Sequence, residues 1–213
     1  GFTPQKPKRV AYERNPEAVR RWLADEYPAI VARAKREKAR LYWGDEMGMR
    51  SDHQTGRSYA PKGRTPTRPG TGQRFGANMI SAITNRGQLS FMIFRGKFSS
   101  GVFLTFARRL LRQGRRKVFL IVDGHPAHRS RAVRRWLEEN AERFEMFLLP
   151  PYSPDLSPDE MLNNDVKSNA VGRKSPRTQA ALIRTVRSYL ERRRRDPSTV
   201  RKYFHEDSVR YAA

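Results

Sequence analysis

Three carboxylates stand out in this chain because each follows a segment that fixes its place in a fold. Asp45 closes the apolar run Leu41-Tyr42-Trp43-Gly44, and Asp123 ends Lys117-Val118-Phe119-Leu120-Ile121-Val122. Glu160 follows a loop with prolines at 150, 151, 154 and 158. In open α/β sheets ligands gather outside the carboxyl ends of strands, so acids at two neighbouring strand ends face one another. Like charges that close are unfavourable until a cation lies between them. Hard divalent cations take oxygen ligands and keep some water. Two such ions about 4 Å apart activate a nucleophile and stabilise a leaving oxygen in phosphodiester chemistry. The chemistry offered by this set is metal-dependent cutting of a nucleic-acid backbone.

Each acid also has a plainer reading. Asp45 taken alone is an ordinary loop acid. Ser157-Pro158-Asp159-Glu160 has the form of a helix start, with Ser at the N-cap, Pro at the first position and Glu at the third. Glu160 then either closes a capping box or faces metal, and both roles are open. Glu46 and Asp159, adjacent to proposed ligands, point elsewhere and rank only as substitutes. His125-Pro126-Ala127-His128 falls short of a zinc site, which needs further ligands in a chain with no Cys.

Stepping outward, the pattern must build the elements that carry these acids. Residues 40–46, 76–84, 88–94, 117–123 and 144–149 read as strands, the second and third joined as a hairpin by Asn85-Arg86-Gly87. The run at 117–122 is continuously apolar, as expected of a central strand covered on both faces. Phe103, Phe106, Ala107, Leu110 and Leu111 recur at helical spacing, as do Val133, Trp136 and Leu137. Helices are also expected from Asn15-Pro16, after Pro28, and over 158–170, 176–195 and 197–204. A three-stranded meander followed by alternating helices and strands is a mixed α/β sheet flanked by helices. Residues 1–40 read as a linker with two N-terminal helices, and 41–213 as one catalytic domain.

The charge balance names the partner class. Among 213 residues, Lys and Arg number 44 and Asp and Glu 21, a formal net charge of +23. Such a surface calls for a polyanion. Arg108, Arg109 and Arg112 form one basic group, which continues through Arg115, Arg116 and Lys117; Arg131, Arg134 and Arg135 form another directly after the second acid. Lys167 lies seven residues after Glu160, on the same face of a regular helix. All are candidates for DNA phosphate contact. The absence of Cys fits a reducing cytosol, and no stretch is apolar over the length of a membrane span.

The segments "YWGDE", "LIVDGHPAH" and "LPPYSPDLSPDE" resemble the three acidic signatures of DDE transposases, most nearly the bacterial insertion-sequence branch of the mariner-like superfamily. The resemblance extends to "YAPKGRTP" and "NMISAITNRG" and so to nearly the whole chain. It implies an RNase H-like fold with Asp45, Asp123 and Glu160 as a triad for two Mg²⁺ ions, Mn²⁺ being able to substitute. It also implies that His128 orders the site by hydrogen bonding. The implied activity is cut-and-paste transposition: metal-dependent DNA cleavage, then strand transfer, on element ends and target DNA. A homodimer in the transposition complex and a cytoplasmic, nucleoid-associated location follow from the same resemblance. The alternatives are an RNase H-like nuclease without joining activity and an inactive remnant that only binds DNA. Two departures are visible: Ser157 stands where relatives commonly have Asn, and Asn163-Asn164-Asp165 fills a region where many carry Trp. The helix-turn-helix region that precedes the catalytic domain in relatives is expected to be absent.

Overall fold

A computed structural model of the chain describes residues 11–52, 59–67, 72–172 and 176–213. Five strands form one sheet: β1 (Arg40–Arg50), β2 (Gly76–Ile83), β3 (Leu89–Phe94), β4 (Val118–Val122) and β5 (Phe144–Leu148). Their order is β3-β2-β1-β4-β5. The meander β1-β2-β3 is antiparallel, and β4 and β5 add in parallel on the other side of β1. This is the mixed sheet expected from the sequence. The hairpin turns on Gly87, whose φ is +87° and whose absent Cβ would come within 2.5 Å of the Pro197 carbonyl oxygen. Only glycine meets both demands.

Alternation along the strands sends side chains to two apolar layers. On one face Trp43, Met47, Met79, Phe119 and Ile121 pack with residues of α2 (Tyr27–Arg36), α5 (Asp159–Asp165) and α6 (Gln179–Arg194). On the other face Tyr42, Ile80, Leu120 and Val122 pack with α3 (Ser100–Arg112) and α4 (Arg131–Glu139). Every residue of β4 is buried, which explains its unbroken apolar run. Ser99 and Ser130 cap α3 and α4, each accepting a backbone N–H three residues on.

Three expectations are corrected. The first strand runs four residues beyond Glu46, so Asp45 lies inside β1 rather than at its end. The two N-terminal helices are one continuous helical stretch: α1 (Pro16–Arg21), capped by Asn15, passes through a π turn at Trp22–Glu26 directly into α2. The helix expected over 158–170 is α5 followed by a second π turn, Val166–Val171. A further short helix, α7 (Pro197–Lys202), leads to two 3₁₀ turns at Tyr203–His205 and Arg210–Ala212. Among the described residues no helix is long and apolar enough to cross a membrane.

Candidate active site

The parallel register sets the first two acids level. Trp43 of β1 pairs with Ile121 of β4, so two steps further along stand Asp45 and Asp123. Only β1 continues past that point, because β4 ends at Val122. Asp45 has the strand parity of Trp43, which belongs to the apolar layer that α5 also joins, whereas Asp123 stands just past the end of β4.

The third acid stands in the first turn of α5, behind the loop that follows β5. Leu149 is tied to the sheet, its N–H donating to the Val122 carbonyl at 2.8 Å. Tyr152 takes a positive φ of 54° and turns the chain. Pro154 then opens a 3₁₀ turn through Leu156. Leu156 and Ser157 are buried. The expected capping box does not form: Pro158, not Ser157, is the N-cap, and the Ser157 hydroxyl has no partner. Glu160 is therefore free of the reciprocal cap, held instead by its backbone N–H to the Ser157 carbonyl.

Around Asp45 stand four other carboxylates. Burial first, then the negative charges of Asp159, Glu160, Glu46 and Asp123, push the Asp45 carboxyl well above the usual range. Burial and Asp123 raise Glu46 to about 7, with His128 opposing. Asp159 is fully buried and also raised, chiefly by burial, although it accepts a hydrogen bond from the Ser81 hydroxyl at 2.6 Å. Asp123 behaves oppositely. Burial opposes its ionisation, but hydrogen bonds from His128 and the His125 N–H hold it below the ordinary range. The His128 Nδ1 lies 3.2 Å from Asp123 Oδ1 and 3.1 Å from its backbone oxygen.

The predicted triad and the tightest cluster are not the same set. Among the described residues, the group of three whose ligand atoms lie within 4.8 Å of one another is Glu46, Asp123 and His128. The charge of Glu160 acts on both Asp45 and Glu46. Asp123 leans to Glu46 and His128 because its hydrogen-bond donors lie there. Glu46, ranked as a substitute, thus belongs to the site. So does Asp159, which was expected to point away and instead lies under it. Asn163, buried, donates from Nδ2 to Asp45 Oδ2 at 2.7 Å and was missed altogether. A signal for the last two was present: Asp159 and Asn163 are four residues apart and share a helix face.

The donor set fits a divalent cation. Five carboxylates converge in a chain of net charge +23, and Glu46 Oε2 and Asp159 Oδ1 are buried without a partner. Oxygen-rich donors of this kind suit Mg²⁺ or Mn²⁺.

The basic candidates divide. Arg108, Arg109 and Arg112 on α3 and Arg131, Arg134 and Arg135 on α4 are exposed, on helices that pack on the same face of the sheet. Lys117 is not part of that surface: its Nζ bonds Glu37 at 2.8 Å and lies over the Phe119 ring. Lys167 sits in the second π turn, on the opposite layer from the arginines, where the helical phase from Glu160 is broken. Pro61 and Gly63 form an exposed turn closed by the Arg64 N–H on the Pro61 carbonyl.

Comparison with known proteins supplies the family. Residues 40–183 match the sequence model of the DDE superfamily endonucleases. Residues 1–26 match a winged helix-turn helix, which corrects the expectation that no such region is present. The described part of that stretch, 11–26, packs into the catalytic fold through Trp22. No curated protein matches. Similar solved structures include the Mos1 strand transfer complex, with TM-score 0.71 and 19% identity over 99% of this chain and 64% of that one. The Mos1 mariner paired end complex with Mn gives TM-score 0.71 and 19% identity, over 99% and 65%. The catalytic domain of Mos1 mariner transposase gives TM-score 0.63 and 16% identity, over 95% and 98%. This chain therefore spans just under two thirds of the first two. The shared fold is the RNase H-like sheet that the family resemblance implies. Because the family match runs through both strand-borne acids and the proline-led helix behind them, this chain belongs to the DDE superfamily of endonucleases.

Proposed function

We propose that this chain is the catalytic part of a DNA transposase of the mariner-like kind, in its insertion-sequence branch, and that it cuts and joins DNA with two divalent cations, Mg²⁺ or Mn²⁺. The observation that carries the reading is the carboxylate cluster around Asp45 inside a strongly basic chain. Asp45, Asp123 and Glu160 would hold the cations, with Glu46 beside them. Bound there, divalent cations would lower the pKa of an attacking water or 3′ hydroxyl and neutralise charge on the leaving oxygen. Asn163 fixes the rotamer of Asp45, and His128 fixes Asp123. Arg108, Arg109, Arg112, Arg131, Arg134 and Arg135 would take backbone phosphates. Lys167 is the weaker candidate for that role. No covalent enzyme intermediate is needed, because the acids position the nucleophile rather than supply it. A homodimer working on two element ends belongs to the same proposal, and the paired end complexes of the Mos1 relative support it.

The test uses a short duplex with a free 3′ hydroxyl and a supercoiled plasmid, in Mg²⁺ or Mn²⁺. Joined product supports a transposase. Nicks without joining would make the chain a nuclease, and neither product with DNA binding intact would make it a binding protein only.

A further inference from the structure

The loop that leads into the helix bearing Glu160 is held from both ends of the described chain. Arg14 Nη1 reaches both oxygens of Asp155, at 2.9 and 3.0 Å, across 141 residues. This pair is mostly shielded, at 18% and 22% side-chain exposure. One residue on, the Leu156 carbonyl accepts from the Tyr211 hydroxyl at 2.8 Å. That hydroxyl accepts from the Trp22 indole N–H at 3.2 Å. The Tyr211 ring stands edge-on to Tyr27 and Trp43, with centroids 4.9 and 5.8 Å away. Trp43 lies two residues before Asp45 on the same strand face. The 3₁₀ turn Pro154–Leu156 is thus seated on an aromatic cluster that also backs the first acid.

A loop of this composition needs such a seat. Its prolines remove backbone donors, so it cannot be tied down by sheet pairing. Its buried carbonyl at Leu156 must be satisfied by a side chain. The ligand it presents is useful only when held within a fraction of an ångström. We infer that Arg14, Trp22 and Tyr211 are positioning residues for Glu160, clasping residues 155–156 so that the third acid is in place only when the N-terminal helical stretch is docked. The inference rests on the proposed function of the acids. It gives the segment matched by the winged helix-turn helix a mechanical tie to the catalytic centre. Displacement of residues 14–22 would loosen the metal site without touching a metal ligand.

The experiment uses the 213-residue chain and the variants Tyr211→Phe, Asp155→Asn, Arg14→Asp and the exchanged pair Arg14→Asp/Asp155→Arg. Mn²⁺ affinity is measured by EPR of the free ion, which needs no turnover, and cleavage by steady-state rates on duplex DNA. Tyr211→Phe and Asp155→Asn are expected to weaken Mn²⁺ binding and lower kcat by about 10–100-fold, with KM for DNA within about twofold, the range seen when supports of ligating residues are lost. The exchanged pair should recover at least about tenfold over Arg14→Asp alone, because it restores the attraction with its sign reversed. Wild-type Mn²⁺ affinity in Tyr211→Phe and Asp155→Asn would overturn the inference, as would an exchanged pair no better than Arg14→Asp. A wild-type chain that binds Mn²⁺ but does not cut would sink the proposed function instead, and the Mn²⁺ affinities would still decide the clasp.

Discussion

At the scale of single residues, the site is a problem of holding like charges together. Asp45 is raised by burial and by four neighbouring acids, while Asp123 is lowered by donors from one short turn. Asn163 is the side chain that points a donor straight at Asp45. Replacing it with Leu keeps the branching of its heavy atoms and removes that donor. The cleavage rate should fall about 10–100-fold, as for other residues that orient a ligating carboxylate. DNA affinity should be unchanged, since the amide faces inward. Parallel measurement of kcat and DNA Kd checks this; a rate within about twofold of wild type would mean Asp45 needs no help from α5.

At the scale of elements, one half-buried acid at the end of α5 gathers several neighbours. Asp165 accepts hydrogen bonds from Asn169, Tyr189, Arg193 and Tyr203, and so fastens α5 and the second π turn to α6 and the chain beyond α7. Burial opposes its charge, but Arg193 and then the two tyrosines hold its pKa below the ordinary value. A carboxyl lowered on folding stabilises above its unfolded pKa of about 3.9 and loses that contribution as pH falls through the folded value. Asp165→Asn should therefore cost about 2–3 kcal/mol at neutral pH, less than breaking a fully buried pair because Asp165 is only half-buried. The loss should shrink toward zero in acid, and urea melts at pH 7 and pH 3 read it directly. Much at this scale was legible beforehand. β4 is a continuous apolar run, and the prolines before Glu160 announced a fixed helix start. The far half of β1 was legible only as burial alternating with exposure at Met47, Gly48, Met49 and Arg50, which a reading that stopped at the acid passed over. Of the two roles open to Glu160, the capping box is not formed, because Ser157 has the right spacing but a buried hydroxyl without a partner. Neither π turn could be read, since widening one helical turn leaves the apolar pattern almost intact. Glu46 ranks only as a substitute from its adjacency to Asp45, yet its carboxylate groups with Asp123 and His128.

At the scale of the molecule, a basic exterior surrounds an acidic centre, and the two should be separable. Arg131 and Arg135 are exposed on α4, the helix that follows the turn after Asp123. Their joint replacement by Ala should weaken binding to random duplex DNA and flatten its log–log salt dependence by about 2, one counterion for each lost phosphate contact. An unaltered slope in a salt titration would move the DNA path to α3. The centre is tested most directly by Glu160→Gln, the change that keeps the shape of the third side chain and removes its charge. Cleavage of duplex DNA in Mg²⁺ should fall at least about a thousandfold, about 4 kcal/mol, as expected when a metal ligand is lost. DNA affinity should stay within about twofold, because the basic surface is untouched. Cutting at near the wild-type rate would contradict the account, since Glu160 would then be no more than the first turn of a helix.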